Sequence, residues 1–287
     1  VVLFLFFVVN RLQLTKKQKI VIEQQKIVVE EAHLNLEEKT QEIIDSISYA
    51  KRIQMAILPP TKKVKEYLKN LFILYMPKDV VAGDFYWMEH NNGKTLFAVA
   101  DCTGHGVPGA MVSVVCNNAL NRSVREHNLT EPGKILDKTR EIVIQEFEKS
   151  DEKVQDGMDI ALCSLEGNLL QYAGAHNPLW IVRDGVIIET KADKQPIGKF
   201  ENPKPYTTHS FNLIKGDSVY IFSDGYVDQF GGEKGKKFKS KAMRELLLSI
   251  QDNSMIEQKE ILNNIFENWK GNLSQIDDIC ILGFKFN

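Results

Sequence analysis

The sequence predicts an α+β fold, a sandwich of two sheets covered by helices and preceded by a long N-terminal helix. Three observations carry this reading. Residues 10–58 contain neither Gly nor Pro. The apolar runs further on come as hairpin pairs around short turns. Helical stretches interrupt those hairpins in pairs instead of alternating singly with strands.

Composition sets the outer limits. A chain of 287 residues has room for one large domain and an extension. Its 43% hydrophobic and 26% charged content is that of an ordinary globular protein. A net charge of -2 gives no electrostatic footprint for nucleic acid. Cys102, Cys116, Cys163 and Cys280 are isolated, with no C-x-x-C spacing. They point to neither a zinc site nor a disulfide framework, and they suit a reducing compartment.

The first nine residues, VVLFLFFVV, are apolar, lack an initiating Met and are followed by Asn10, Arg11, Lys16, Lys17 and Lys19. Nine residues are too few to span a bilayer, which takes about 20. The expectation is that residues 1–9 are the end of a truncated transmembrane helix whose basic flank marks the cytoplasmic side. The rest is then the cytoplasmic domain of an inner-membrane protein. A signal peptide, the main alternative, carries its positive charges before the apolar run.

Residues 10–58 form a linker helix that ends at Pro59-Pro60. Ile22, Val29, Leu36, Ile43, Ala50 and Ile57 recur every seven residues, while the companion line Gln25, Ala32, Lys39, Ser46 and Ile53 is mostly polar. That is a one-sided coiled coil, tightening toward residues 43–58, and a parallel homodimer is the functional reading. The alternative is a single amphipathic helix docked on the following domain. His33 reads as a solvated helix residue.

Residues 59–287 are expected to form the folded domain. Residues 71–76, 79–87 and 94–100 read as extended, the last as a strand buried on both faces. Pro108 opens a helix to about residue 127, and a second covers 132–149. Hairpins follow, 160–165 with 169–173 and 179–183 with 186–190, the latter around Asp184-Gly185. A strand at 218–223, helices near 240–250 and 255–269, and a strand at 279–286 complete the pattern.

Asn92-Gly93 fixes one register. A two-residue type I′ turn needs positive φ at both positions, and Asn-Gly supplies it. Residues whose numbers add to 185 then face each other, and Asp84 and Asp101 are such a pair. Opposed carboxylates repel across a ladder, so a cation between them is the expected remedy. Asp224 ends the run VYIFSDGY, and Asp277-Asp278 precedes ICILGF. Carboxylates at four strand ends select hard cations, Mg²⁺ or Mn²⁺. Two such ions about 3.5–4 Å apart suit hydrolysis at phosphorus.

Taken in order, PKDVVAGDFYW, FAVADCTGHGVPGAMVS, QYAGAHNP, IFSDGY and DDICIL resemble the successive motifs of SpoIIE-type PPM (protein phosphatase 2C-like) serine/threonine phosphatases. The resemblance covers about residues 49–286, and SISYAKRIQMAILPP is similar to the linker preceding this domain in bacterial membrane-linked regulators. It implies an αββα sandwich of antiparallel sheets, two Mn²⁺ or Mg²⁺ ions and direct attack by metal-bound water. It also implies ligands: Asp84, Asp101 as the bridging residue, the Cys102 carbonyl, Asp224 and Asp277, with Asp278 in a supporting position. The implied substrate is a phosphoserine or phosphothreonine on a regulatory protein, such as an anti-sigma-factor antagonist. Ala82 stands where the family has Gly, Trp87 where it has an acid, Cys280 where it has Thr, and QYAGAHNP carries an extra Ala. No ligand is lost, although Trp87 is expected to reshape the cleft rim and the role of His176 stays open.

Other residues have two readings. His105 either protonates the leaving oxygen as a general acid or fixes the glycine turn. Gly104 and Gly106 either present N–H groups to phosphate at a helix start or serve a tight turn sterically. Lys78 either meets phosphate or is a solvated strand end. Residues 231–239, GGEKGKKFK, read as a basic solvated loop or a flap, and Asp156 and Asp159 as contacts for a looser third ion or for substrate. Two rival functions remain: a non-catalytic binding module of the same fold, and another two-metal enzyme such as a nucleotide cyclase.

Overall fold

The computed structural model describes residues 2–149 and 156–287; Val1, the first residue of the apolar N-terminal run, lies outside them. The chain divides into two units, Val1–Ala50 and Lys51–Asn287.

The first unit is helical from Val2 onward. It belongs to α1 (Val2–Ile57), a helix of 56 residues uninterrupted by Gly or Pro. Ile22, Val29, Leu36 and Ile43 are each about 60% exposed or more, so the heptad stripe is uncovered in the single chain. Among the described residues, no helix is long and apolar enough to cross a membrane.

The second unit begins with the last turns of α1, where Gln54 and then Leu58 become buried. A short helix, α2 (Thr61–Tyr67), follows the Pro-Pro break, and β1 (Leu71–Met76) starts the sandwich. Next come β2 (Phe85–Asn91), β3 (Lys94–Cys102), α3 (Gly106–Arg125), α4 (Pro132–Phe147), β4 (Met158–Glu166) and β5 (Leu169–Ala175). The chain continues through β6 (Leu179–Arg183), β7 (Val186–Thr190), β8 (His209–Asn212), β9 (Ser218–Phe222) and α5 (Gly225–Asp228). A two-residue ladder, β10 (Phe230–Gly231) with β11 (Lys236–Lys237), leads to α6 (Lys239–Ser249), α7 (Met255–Lys270) and β12 (Ile279–Lys285).

Two five-stranded sheets result, in the orders β1-β12-β9-β6-β7 and β2-β3-β4-β5-β8, with every pairing antiparallel. The alternation of side chains along a strand decides which layer each residue joins. In β12, Cys280, Leu282 and Phe284 enter the core between the sheets, while Ile279 and Ile281 enter the one under α6 and α7. Leu71 and Ile73 against Phe72 and Leu74 do the same in β1. Across the inter-sheet core, Phe97 and Phe284 meet edge to face with centroids 5.5 Å apart. α3 and α4 cover the second sheet, so the layers are αββα, as the resemblance implied.

The Asn92-Gly93 hairpin forms as expected. Asn92 has φ 51° and Gly93 φ 77°, and β2 pairs with β3 from Phe85↔Ala100 to Asn91↔Lys94, in the register adding to 185. Residues 79–84, read as extended from sequence, are instead a loop. Asp278 takes their backbone donors: Lys78 N–H reaches its Oδ1 and Gly83 N–H its Oδ2, each at 2.7 Å. Trp87 is also not on a cleft rim. It is 2% exposed, with its indole N–H donated to Asn121 Oδ1 on α3 at 2.9 Å, so it replaces an acid with a buried anchor.

Candidate metal centre

At one end of the sandwich, strand termini from both sheets deliver carboxylates to one place. Asp101, Asp159, Asp224 and Asp277 line a cavity of about 320 Å³, together with Cys102, Gly104 and His105. Asp101 is near the end of β3, and Asp159, near the start of β4, is its direct partner across the ladder. Asp84 is the residue before β2, one step beyond the Phe85↔Ala100 pair, and is 1% exposed. The second sheet therefore carries three acids in a row across β2, β3 and β4. The first sheet adds Asp224, at the turn from β9 into α5, and Asp277, just before β12.

So many acids in a buried place disfavour their own ionisation. Burial, then the charge of Asp101, raises the Asp84 carboxyl well above the usual carboxylate range. Burial, then Asp224, Asp277 and Asp159, pushes Asp101 up to about 8. Burial, then Asp277, pushes Asp224 up to about 6.

These residues fit divalent cations. Asp84 Oδ2 is buried without a hydrogen-bond partner, a condition that costs free energy unless a positive group supplies the missing contact. All the side-chain donors are carboxylate oxygens, the ligand type of Mg²⁺ and Mn²⁺. Among the described residues, no group of three or more His, Cys, Asp or Glu side chains is arranged to hold a metal ion as it stands; the acids line an open cavity. Cys102 offers only backbone, because its thiol is fully buried beside Cys116. Asp278 faces the other way, holding the loop of residues 78–83.

The other sequence-derived candidates divide. Gly104 and His105 line the cavity, whereas Lys78 and Gly106 do not. Lys78 contributes its backbone to Asp278. Gly104 sits at φ 84°, a conformation that favours glycine, and a Cβ on Gly83 would come within 2.4 Å of its carbonyl oxygen. Close packing of the loops is thus a sufficient reason for glycine at 83, and the positive φ for glycine at 104. His105 has a partner that sequence reasoning missed: its Nδ1 lies 2.9 Å from Asp79 Oδ2. His176 lies outside the cavity lining, with φ 57°, and its Nδ1 is 2.8 Å from Asp159 Oδ1. Lys199 was also missed. It lines the cavity from a loop that no local sequence pattern marks.

Two antiparallel sheets between helical layers, with acids gathered at one end, define the PP2C-type phosphatase fold. The SiaA PP2C domain of Pseudomonas aeruginosa has it, with 32% identity and a TM-score of 0.79 over 86% of this chain and 98% of that one. The PP2C phosphatase domain with a regulatory fragment of SpoIIE from Bacillus subtilis aligns with a TM-score of 0.60 at 17% identity, over 76% and 63% of the two chains. Residues 91–287 match the family described as Stage II sporulation protein E (SpoIIE), and the chain belongs to that family. Phosphoserine phosphatase RsbU of Bacillus subtilis (strain 168) is 25% identical over 230 residues, 79% of this chain. The match spans 65% of the length of RsbU.

Proposed function

We propose that this chain is a metal-dependent phosphoserine/phosphothreonine protein phosphatase acting in bacterial signal transduction. The observation that carries the reading is the convergence of Asp101, Asp224 and Asp277 on one cavity from two sheets, with Asp84 buried beside it. The similarity to a phosphoserine phosphatase supports it.

In this reading Asp84, Asp101, the Cys102 carbonyl, Asp224 and Asp277 hold two Mn²⁺ or Mg²⁺ ions. Bound there, the ions would make water a nucleophile near neutral pH and offset the charge of the phosphoryl group. The protein's own residues do the rest. Asp278 fixes the loop leading to Asp84. With Nδ1 held by Asp79, His105 keeps Nε2 available to protonate the leaving seryl oxygen. Gly104 and His105, the residues just before α3, stand at the cavity wall, where their N–H groups can meet phosphate.

The substrate in this reading is a phosphorylated regulatory protein, with an anti-sigma-factor antagonist as the expected example. The exposed heptad stripe of α1 supports homodimerisation through that helix, and the exposed apolar turns at residues 2–9 with their basic flank support attachment to the inner membrane, cytoplasmic side. Leu36→Lys should convert a dimer to a monomer in sedimentation experiments; an unchanged mass would remove the helix from the interface.

The test of the chemistry is p-nitrophenyl phosphate hydrolysis with Mn²⁺, comparing the parent with Asp101→Ala. Loss of nearly all turnover with an unchanged circular-dichroism spectrum is expected. A variant as active as the parent would overturn the reading.

A further inference from the structure

The acidic cavity has a continuation. Gly198 and Lys199 line both it and a second groove, of about 440 Å³, between the C-terminal half of α4 and the loop of residues 198–203. Lys199 stands at the junction and, among the described residues, is the only lysine or arginine lining the acidic cavity. Its Nζ is 3.0 Å from Glu148, and both side chains are about half exposed. Such an exposed pair is weak, so Lys199 can leave Glu148 for a phosphate at little cost.

Beyond Lys199 the groove is lined by Ile144, Phe200 and Pro203, with Arg140 and Glu201 as its further charges. Phe200 is 45% exposed although it belongs to a short loop beside a charged cavity. Arg140 is held in place: its Nη2 donates to Asp137 Oδ1 at 3.2 Å and to the Lys204 carbonyl at 3.1 Å, and its guanidinium lies 4.9 Å from the Tyr206 ring centre. A fixed cation and an uncovered aromatic ring in a groove that opens from the reaction cavity are features of recognition sites.

We propose that this groove seats the stretch of the phosphoprotein substrate flanking its phosphoserine, with an apolar side chain of that stretch packed against Phe200 and Ile144. Lys199 bridges the two compartments and pairs with the phosphate. The proposal rests on the phosphatase reading. It commits to a polypeptide occupant because the groove is continuous with the cavity and shares Lys199 with it.

The experiment uses a set of phosphoserine peptides that differ only in the residues on either side of the phosphoserine, with p-nitrophenyl phosphate as a reference lacking flanks. Phosphate release with Mn²⁺ is measured for the full chain. The parent should favour a large apolar residue on one flank by roughly tenfold over Gly. Phe200→Ala should lower the ratio of that peptide's kcat/KM to that of p-nitrophenyl phosphate by a similar factor. Ile256→Ala, at an exposed position on α7, should leave the ratio at the parent's value. Equal turnover of all peptides by the parent, or a Phe200→Ala protein that keeps the preference, would overturn the proposal. Absence of any p-nitrophenyl phosphate turnover in the parent would bring down the phosphatase reading and this proposal with it.

Discussion

Gln54 grips the backbone of Ala82 from both sides: its Nε2 donates to the Ala82 carbonyl at 2.5 Å, and the Ala82 N–H donates to its Oε1 at 3.1 Å. The same Nε2 lies 3.1 Å from Ser113 Oγ on α3. A buried side chain near the end of α1 therefore ties down the loop that delivers Asp84. Gln54→Leu keeps the volume but strands these partners, each loss costing about 1–3 kcal/mol. The Mn²⁺ concentration for half-maximal activity should rise about tenfold, as for other residues that orient metal ligands. A titration matching the parent would refute the role.

Metal removal should reveal the crowding of acids. The Asp101 carboxyl is raised to about 8 in the fold against about 4 in an unfolded chain. The folded state then binds more protons between those values. Its stability is complete below the lower value and declines as pH climbs through the upper one. Chelator-treated protein should melt at falling temperatures from pH 5 to pH 8, and saturating Mn²⁺ should offset the decline. Asp101→Asn should melt higher than the parent without metal and gain less from Mn²⁺. A metal-free melting temperature that climbs with pH would contradict this account.

The Asp79–His105 contact separates two roles for the histidine. A group that protonates a leaving oxygen matters most when that oxygen is basic. His105→Gln should slow phenyl phosphate hydrolysis about tenfold or more beyond any effect on p-nitrophenyl phosphate. Asp79→Asn should show the same selectivity in weaker form. Equal slowing of both substrates would assign His105 to holding the glycine turn.

Arg183 offers a stability test away from the cavity. Its Nε and Nη2 reach the two oxygens of Asp217, at 2.9 and 2.6 Å, and the Asp217 side chain is 1% exposed. Arg183→Ala would leave a buried carboxylate uncompensated, at a cost of about 3 kcal/mol. Urea denaturation should register that loss, while Arg183→Ala with Asp217→Leu should recover part of it.

What could be read in advance was what neighbouring residues dictate. Asn92-Gly93 announced its own turn, and from the turn came the pairing that aligns Asp84 with Asp101. Continuous apolar runs located β1, β9 and β12 within a residue or so at their ends. The loop before Asp84 was hidden because Val80, Val81 and Ala82 look like strand residues. What removes them from the sheet is a carboxylate 200 positions away from Lys78. β8 was missed because His209–Asn212 is polar and half exposed. α2 was missed because it is short and buries only Val64. Asp79 and Lys199 earn notice only through where the fold brings them, beside His105 and over the acids.

The hairpin of β2 and β3 works as a ruler whose far tip sets the spacing of chemistry at its base. Side chains on a strand alternate, so a one-residue slip of β3 against β2 at that turn would turn β3 by a face relative to β2. Asp101 would then swing away from Asp84, with every acidic residue still present in the chain. The geometry of the cavity is thus hostage to a surface turn that touches none of it.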